Sequence, residues 1–169
     1  MQVVGRTVVA DQEFAMSTEP TLTGRDIAEA EGATTALLEA TLTAQGFTTT
    51  ANEYAALRAL TVRGPIAAPA DFHRYLAGQR QLGVDAAGAA ALLATMADKG
   101  FITGAEVDGP GPLALTAAGS AELKVLMETT TPLTRPIFGG STPEELAIAH
   151  RVLTSIIDRA NKLRTGQTL

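Results

Sequence analysis

The chain has 169 residues, enough for one domain with a sizeable core, and its composition favours helices. Hydrophobic residues, mainly Ala and Leu, make up 46% of the chain and aromatic residues 4%, which predicts a mainly α fold packed through small side chains. A formal net charge of -5 argues against a surface that binds polyanions throughout, although an acidic protein can still carry a local basic patch. The absence of cysteine excludes disulfides, thiolate metal sites and cysteine nucleophiles, and two histidines leave little for a metal.

Nothing in the sequence predicts a membrane segment. No stretch approaches the roughly 20 apolar residues that a membrane span needs. The first residues contain no basic segment followed by an apolar core, as a secretion signal would. We therefore expect a soluble cytoplasmic protein without a membrane partner. Residues 1–20 are predicted to be an N-terminal extension, because Met16 itself begins an ordinary polar start, MSTEPTLTG.

Three helices are predicted in the first half of the chain. Apolar and small residues spaced three and four apart predict an amphipathic helix from Thr23 to Gln45 that ends at Gly46. The capping-box pattern Thr50-Ala51-Asn52-Glu53 predicts the start of a second helix, which Gly64-Pro65 stops. A third helix is predicted to begin at Pro69, a residue favoured in the first turn.

A helix, a hairpin and the start of another helix follow, which is the pattern of a winged helix-turn-helix. Asp85 can cap a short helix that Gly100 ends. Residues 101–106 and 113–115 can pair across a Gly-Pro-Gly-Pro turn, and Thr116 opens the next helix. The fold class is therefore mainly α with a small β-hairpin wing.

Two further helices are predicted at the C-terminal end. The helix after Thr116 is expected to break at residues 129–132, and a Pro/Gly-rich loop leads to Gly140. Thr142-Pro143-Glu144-Glu145 predicts the start of the last helix, whose apolar residues alternate spacings of three and four over more than two heptads.

Long amphipathic helices at both ends of the chain predict a homodimer. A small central domain cannot bury all of their apolar stripes, so we expect a second subunit to bury the rest. The alternative is that these helices pack only on each other within a monomer. The predicted dimer interface contains Leu37, Leu146, Leu153, Ile156, Ile157 and Leu163.

Over residues 21–164, the order of these elements resembles the MarR family of bacterial regulators. The segments that carry the resemblance are LGVDAAGAAALLATMADKGFI, LTAAGSAEL and TPEELAIAHRVLTSII. The resemblance implies a homodimer that presents two recognition helices to double-stranded DNA and is often released by an aromatic or phenolic ligand. It divides the chain into a dimerisation helix (21–47), a winged helix-turn-helix (48–116) and C-terminal dimerisation helices (117–169).

The predicted DNA-reading module departs from the family in its charge. Alanine and glycine fill residues 86–91, where the family usually has Ser, Thr and Arg. Between residues 64 and 116 there are three basic side chains and five acidic ones. DNA binding needs cations against phosphate. The candidate DNA-binding residues are Arg63, Arg80, Thr95 and Lys99, each of which could equally be a solvated surface residue.

A small-molecule site is the other functional hypothesis. Phe47, Tyr54 and Arg58 could form an aromatic wall with one guanidinium group, which suits an aromatic acid. The structural alternative is that Phe47 closes a helix junction and Tyr54 belongs to the core. The second prediction is therefore a homodimer of this fold that has lost DNA binding and binds a small molecule. Catalysis on the same fold is the less favoured form of this prediction.

No catalytic motif and no cofactor motif is present in the sequence. Asp71 and Tyr75 would share a helix face, but His73 would point away from both, and we expect it to be an exposed histidine beside Arg74. We therefore expect neither an enzyme nor a cofactor-binding protein.

Overall fold

The computed structural model describes residues 21–79, 82–109, 111–166 and 168. Within these residues the chain forms six helices and two short strands, in the order α1 (Gly24–Ala44), α2 (Ala51–Arg63), α3 (Pro69–Gly78), α4 (Ala86–Asp98), β1 (Ile102–Thr103), β2 (Ala114–Leu115), α5 (Ala117–Phe138) and α6 (Pro143–Arg164). The mainly α prediction with one small hairpin is confirmed. The predicted N-terminal extension lies outside the described residues.

The helices begin where the capping residues predicted. Thr23, Thr50 and Thr142 each form a complete capping box with the acidic residue three positions later. Asp85 accepts a hydrogen bond from the backbone N–H of Gly88 at 2.8 Å at the start of α4. Thr116 does the same for α5 with the N–H of Gly119 at 3.0 Å. Each of these bonds satisfies a backbone donor that has no partner within its helix.

The core lies between α2, α3, α4, the hairpin and the first half of α5. Its largest fully buried side chains are Leu57, Leu60, Phe72, Leu76, Leu93, Met96, Leu113 and Leu126. They come from α2, α3, α4, α5 and the residue before β2, so the short α3–α4 unit shares one core with α2 and α5. This packing leaves one side of α4 open to solvent.

The hairpin is shorter than predicted and has a third participant. Only Ile102 with Leu115 and Thr103 with Ala114 pair across the two strands. The strand ends at Gly104, which has a φ of +69° and lies so close to the opposite chain that a Cβ there would be 2.4 Å from a backbone oxygen. Ile66, not predicted as a strand residue, pairs with Leu113 through two backbone hydrogen bonds of 2.9 Å each.

The predicted break of the fifth helix at residues 129–132 is wrong. Helix α5 continues to Phe138 with Pro132 and Pro136 inside it. A proline removes one helical hydrogen bond, which can be offset by tertiary contacts on either side. Here the hydroxyl of Thr130 is 2.9 Å from the hydroxyl of Tyr54 in α2, and Leu133 in the next turn is half-buried. These contacts hold the helix past Pro132.

Helix α6 is not covered by the rest of the described chain. Every residue from 143 to 164 is exposed, and the helix buries no side chain. The residues predicted for the dimer interface are all exposed in the single chain, namely Leu37, Leu146, Leu153, Ile156, Ile157 and Leu163. No described helix combines the length and the apolar character that crossing a membrane requires.

Candidate functional site

A cavity of about 340 Å³ lies between α1, α2 and α5, and we call it the interhelical pocket. Tyr54 is 7% exposed, and its hydroxyl is 2.9 Å from that of Thr130. The guanidinium carbon of Arg58 lies 5.8 Å from the centre of the Tyr54 ring. The remaining walls include Thr34, Leu37, Leu38, Leu133, Thr134 and Ile137. Helices from both predicted subdomains therefore form this pocket.

The structure brings two of the three predicted ligand-binding residues together. Tyr54 and Arg58 line the interhelical pocket, one helical turn apart on α2. Phe47 does not line it. Its backbone N–H donates to the carbonyl of Leu42 at 3.0 Å, and its half-buried ring lines a separate hollow at the end of α1.

The interhelical pocket combines apolar walls, hydroxyl groups and one guanidinium group. Leucine and isoleucine side chains provide apolar walls, while threonine hydroxyls provide hydrogen-bonding groups. Arg58 is exposed and forms no ion pair with a described residue. A guanidinium group of this kind can donate two parallel hydrogen bonds to a carboxylate.

The solvent-exposed side of α4 carries no positive charge. Its exposed residues are Ala86, Ala87, Ala91, Ala94, Thr95 and Asp98. We call this surface the α4 face. The hydroxyl of Thr95 donates to the carbonyl of Ala91 at 2.9 Å, so its proton is used within the helix. The α4 face therefore offers methyl groups and acceptors, but no side-chain cation.

Lys99, just after α4, is held by a buried carboxylate. Its ammonium group donates to the two carboxylate oxygens of Glu53 at 2.6 and 2.9 Å and to the carbonyl of Thr48 at 2.9 Å. The Glu53 side chain is 2% exposed and that of Lys99 is 26% exposed. All three donors of the ammonium group are thus used inside the protein. The sequence could not show this, because the pair is separated by 46 positions.

Comparison with solved structures finds the same architecture in bacterial regulators. MarR from E. coli in complex with operator DNA matches with a TM-score of 0.60 and 20% identity, over 79% of this chain and 91% of that one. Bordetella bronchiseptica BpsR matches with a TM-score of 0.61 and 18% identity, over 81% and 94%. A probable transcriptional regulator from Pseudomonas aeruginosa matches with a TM-score of 0.58 and 23% identity, over 79% of this chain and 95% of that one.

The chain has the MarR-type winged-helix fold. A comparison of its sequence with protein-family models found no match, and neither did one with curated protein sequences.

In the MarR-type fold of this chain, α3 and α4 form the helix-turn-helix, and β1 and β2 form the wing. Arg63 is exposed at the end of α2, where its guanidinium carbon lies 4.0 Å from the centre of the Tyr75 ring. Arg80 lies outside the described residues. Arg74 pairs with Asp71 on the surface of α3. Each described cation of the MarR-type module therefore contacts either a carboxylate or an aromatic ring of the same chain.

His73 is not the exposed residue that the sequence predicts. It is 9% exposed, and its Nε2 is 2.9 Å from the carbonyl oxygen of Ala105 in the wing. The prediction is wrong because the wing folds back over α3, a long-range contact with no local signal.

Proposed function

We propose that this protein is a homodimeric transcriptional regulator that binds double-stranded DNA and responds to a small aromatic acid. The observation that carries the proposal is the position of the interhelical pocket. It lies where α1 and α5, helices assigned to dimerisation, meet α2 of the winged-helix domain. A ligand there would contact both parts of the molecule at once and could bias their relative arrangement.

The uncovered helix α6 supports the dimer. A single 22-residue helix with no buried side chain gains little stability from packing, and isolated helices are only marginally stable in water. Helix α1 also exposes an apolar side chain, that of Leu37, which is 40% exposed. A second copy that covers both helices would remove this apolar surface from water.

The DNA-binding part of the proposal follows from the fold and predicts weak, salt-sensitive binding. Because one side of α4 is exposed, this helix can enter a major groove, and its alanine methyl groups can contact the methyl group of thymine. The protein from E. coli with the same fold was solved with operator DNA. Phosphate contacts supply most of the affinity in such complexes, and the described module has few free cations to make them.

An aromatic acid is the ligand class that fits the interhelical pocket. The exposed guanidinium group of Arg58 can bind a carboxylate, and the Tyr54 ring with the leucine walls can pack against a ring. The similar BpsR structure describes regulation of DNA binding by 6-hydroxynicotinic acid, which is itself an aromatic acid.

A second candidate keeps the dimer and the pocket but has lost DNA binding. The cation-free α4 face and the internal pairing of Lys99 favour it. In this case the interhelical pocket would be the functional site that the protein keeps.

Fluorescence anisotropy distinguishes the two candidates. The labelled duplex carries the DNA that flanks the protein's own gene, and a scrambled duplex of equal composition is the control. Selective binding that weakens with salt would support the regulator, and its reversal by a hydroxybenzoate would support the ligand response. Absence of binding even at low salt would overturn the DNA-binding proposal and favour the second candidate.

A further inference from the structure

The interhelical pocket adjoins a second, larger cavity, which we call the α2–α5 groove. The groove has a volume of about 630 Å³, within the range of about 300–1,000 Å³ for small-molecule sites. It lies between the C-terminal end of α2, β2 and α5, and its apolar lining comes from Leu115, Leu123, Met127 and Pro132. Met127 and Thr131 line both cavities, so a single ligand can extend from one into the other.

Most polar side chains of the α2–α5 groove already have partners. The hydroxyl of Thr61 donates to a backbone carbonyl one turn earlier in α2 at 3.1 Å, and that of Ser120 does the same at the start of α5 at 2.9 Å. Lys124 pairs with Glu128 at 3.9 Å. The apolar side chain of Met127 is nevertheless 45% exposed. A ligand in this groove therefore gains by covering apolar surface and not by supplying hydrogen bonds.

The group that can bind an acid lies on the same face of α2 as the groove. Tyr54, Arg58 and Thr61 are spaced four and three residues apart, which places them along one helix face. The guanidinium group of Arg58 is exposed and forms no ion pair with a described residue. From Thr131 to Ser120 the groove extends about 16 Å along α5, from the rise per residue of a helix. The two cavities together therefore offer a site for a charged head followed by an apolar tail.

We propose that the ligand is an aromatic acid that carries an unbranched apolar tail of several carbon atoms. Its carboxylate binds Arg58 in the interhelical pocket, and its tail lies on Leu115, Leu123 and Met127 in the α2–α5 groove. This inference rests on the proposed aromatic-acid function of the interhelical pocket and specifies the ligand further. The groove contains none of the residues assigned to the dimer interface, so the proposed dimer does not require it.

Calorimetry of the full-length protein, without DNA, with a series of 4-alkoxybenzoates tests the proposal. The methoxy, butoxy and octyloxy compounds share one acid group and differ only in the tail, and each is used below the concentration at which it forms micelles. We expect the affinity to rise about three- to fourfold for each methylene that the groove buries. The methyl ester of the octyloxy compound lacks the charge and should bind at least about tenfold more weakly than the acid.

The outcomes of this series separate the tail from the acid site. Equal affinity for the methoxy and octyloxy compounds would overturn the tail assignment and leave the acid-binding function of the interhelical pocket intact. Absence of binding by every acid at millimolar concentration would overturn that function and the tail assignment together. Equal affinity for the octyloxy acid and its ester would show adsorption to apolar surface instead of the two-part site.

Thr61→Glu and a matched control locate the tail. Thr61→Glu places a carboxylate in the groove and should weaken binding of the octyloxy compound about tenfold or more, because the tail would bury that charge. Val62→Glu adds the same charge at the next residue of α2, which is 88% exposed and lines neither cavity, and should change the affinity less than about twofold. Thermal unfolding confirms that both variants are folded.

Two results for these variants would overturn the assignment of the groove. Equal weakening by Thr61→Glu and Val62→Glu would show general repulsion of the acid by added negative charge, without contact between the tail and the groove. Light scattering tests the other occupant: a monomeric Thr61→Glu variant of a dimeric parent protein would show that a second copy of the chain fills the groove.

Discussion

Lys99 and Glu53 form an ion pair that joins the end of α4 to the start of α2, with an ammonium-to-carboxylate distance of 2.6 Å. The same carboxylate accepts a hydrogen bond from the backbone N–H of Thr50 at 2.7 Å, so one side chain both caps α2 and binds Lys99. A buried carboxylate is costly unless it is paired and hydrogen-bonded. The α2–α4 angle, and with it the orientation of the α4 face, therefore depends on this pair.

Substitution of Lys99 should cost stability more than it costs DNA affinity. Lys99→Met leaves Glu53 buried without its partner and should lower the free energy of unfolding by about 2–4 kcal/mol, slightly reduced because Lys99 is partly exposed. Lys124→Met breaks an exposed pair on α5 and should cost less than about 0.5 kcal/mol. Urea denaturation measures both. Equal stability of the two variants, with a lower salt slope of DNA binding for Lys99→Met, would show that Lys99 contacts phosphate instead.

A charge in the apolar stripe of α6 should break the dimer. Leu153→Glu and Ile156→Glu place a carboxylate on a face that a second copy is expected to bury, which is strongly unfavourable. We expect a monomer or an aggregate in size-exclusion chromatography with light scattering. Thr154→Glu adds the same charge to α6 beside the stripe and should leave the dimer intact. A dimer retained by both stripe variants would contradict the assigned interface.

Removal of the Arg58 guanidinium should weaken binding of an aromatic acid in the interhelical pocket. Arg58→Gln should lower the affinity for a hydroxybenzoate about tenfold or more, since a hydrogen bond to a charged group contributes about 1.5–3 kcal/mol. Phe47→Leu, outside the pocket, should have no effect. Calorimetry measures all three proteins, and unchanged affinity for Arg58→Gln would place the ligand elsewhere.

The start of α1 should lose stability in acid. Hydrogen bonds from the side chain and the backbone of Thr23 hold the pKa of Asp26 below its ordinary value. A carboxyl group with a lowered folded-state pKa contributes stability above its unfolded pKa of about 3.9 and loses it as the pH falls through the folded value. The amide resonance of Thr23 should therefore titrate below pH 3.9, about the ordinary aspartate value. Asp26→Asn should remove that titration, and a midpoint at the ordinary value would contradict the assignment.

The sequence predicts the local parts of this structure better than its long-range parts. The capping residues Thr50, Asp85 and Thr142 were identifiable because each acts on a group three positions away. The pairing of Ile66 with Leu113 left no comparable signal, because its partners are distant in the chain. Tyr54 and Arg58 lie one turn apart on α2, and their spacing predicts that they share a surface, as they do in the interhelical pocket. Phe47 lies outside that helix, and no local pattern shows that it lines a different cavity.

Adding a cation to the α4 face should strengthen DNA binding if phosphate contacts are what limits it. Ala87 lies at the exposed start of α4. In Ala87→Arg, the guanidinium group could reach a DNA phosphate beside a major groove that holds the helix. Each new phosphate contact steepens the dependence of log affinity on log salt by about 0.9. Thr154→Arg adds the same charge on α6, far from the proposed DNA contact in sequence, and should leave that slope unchanged. Anisotropy titrations at several salt concentrations measure both variants. An Ala87→Arg slope equal to that of the parent protein would mean that α4 does not lie in the groove.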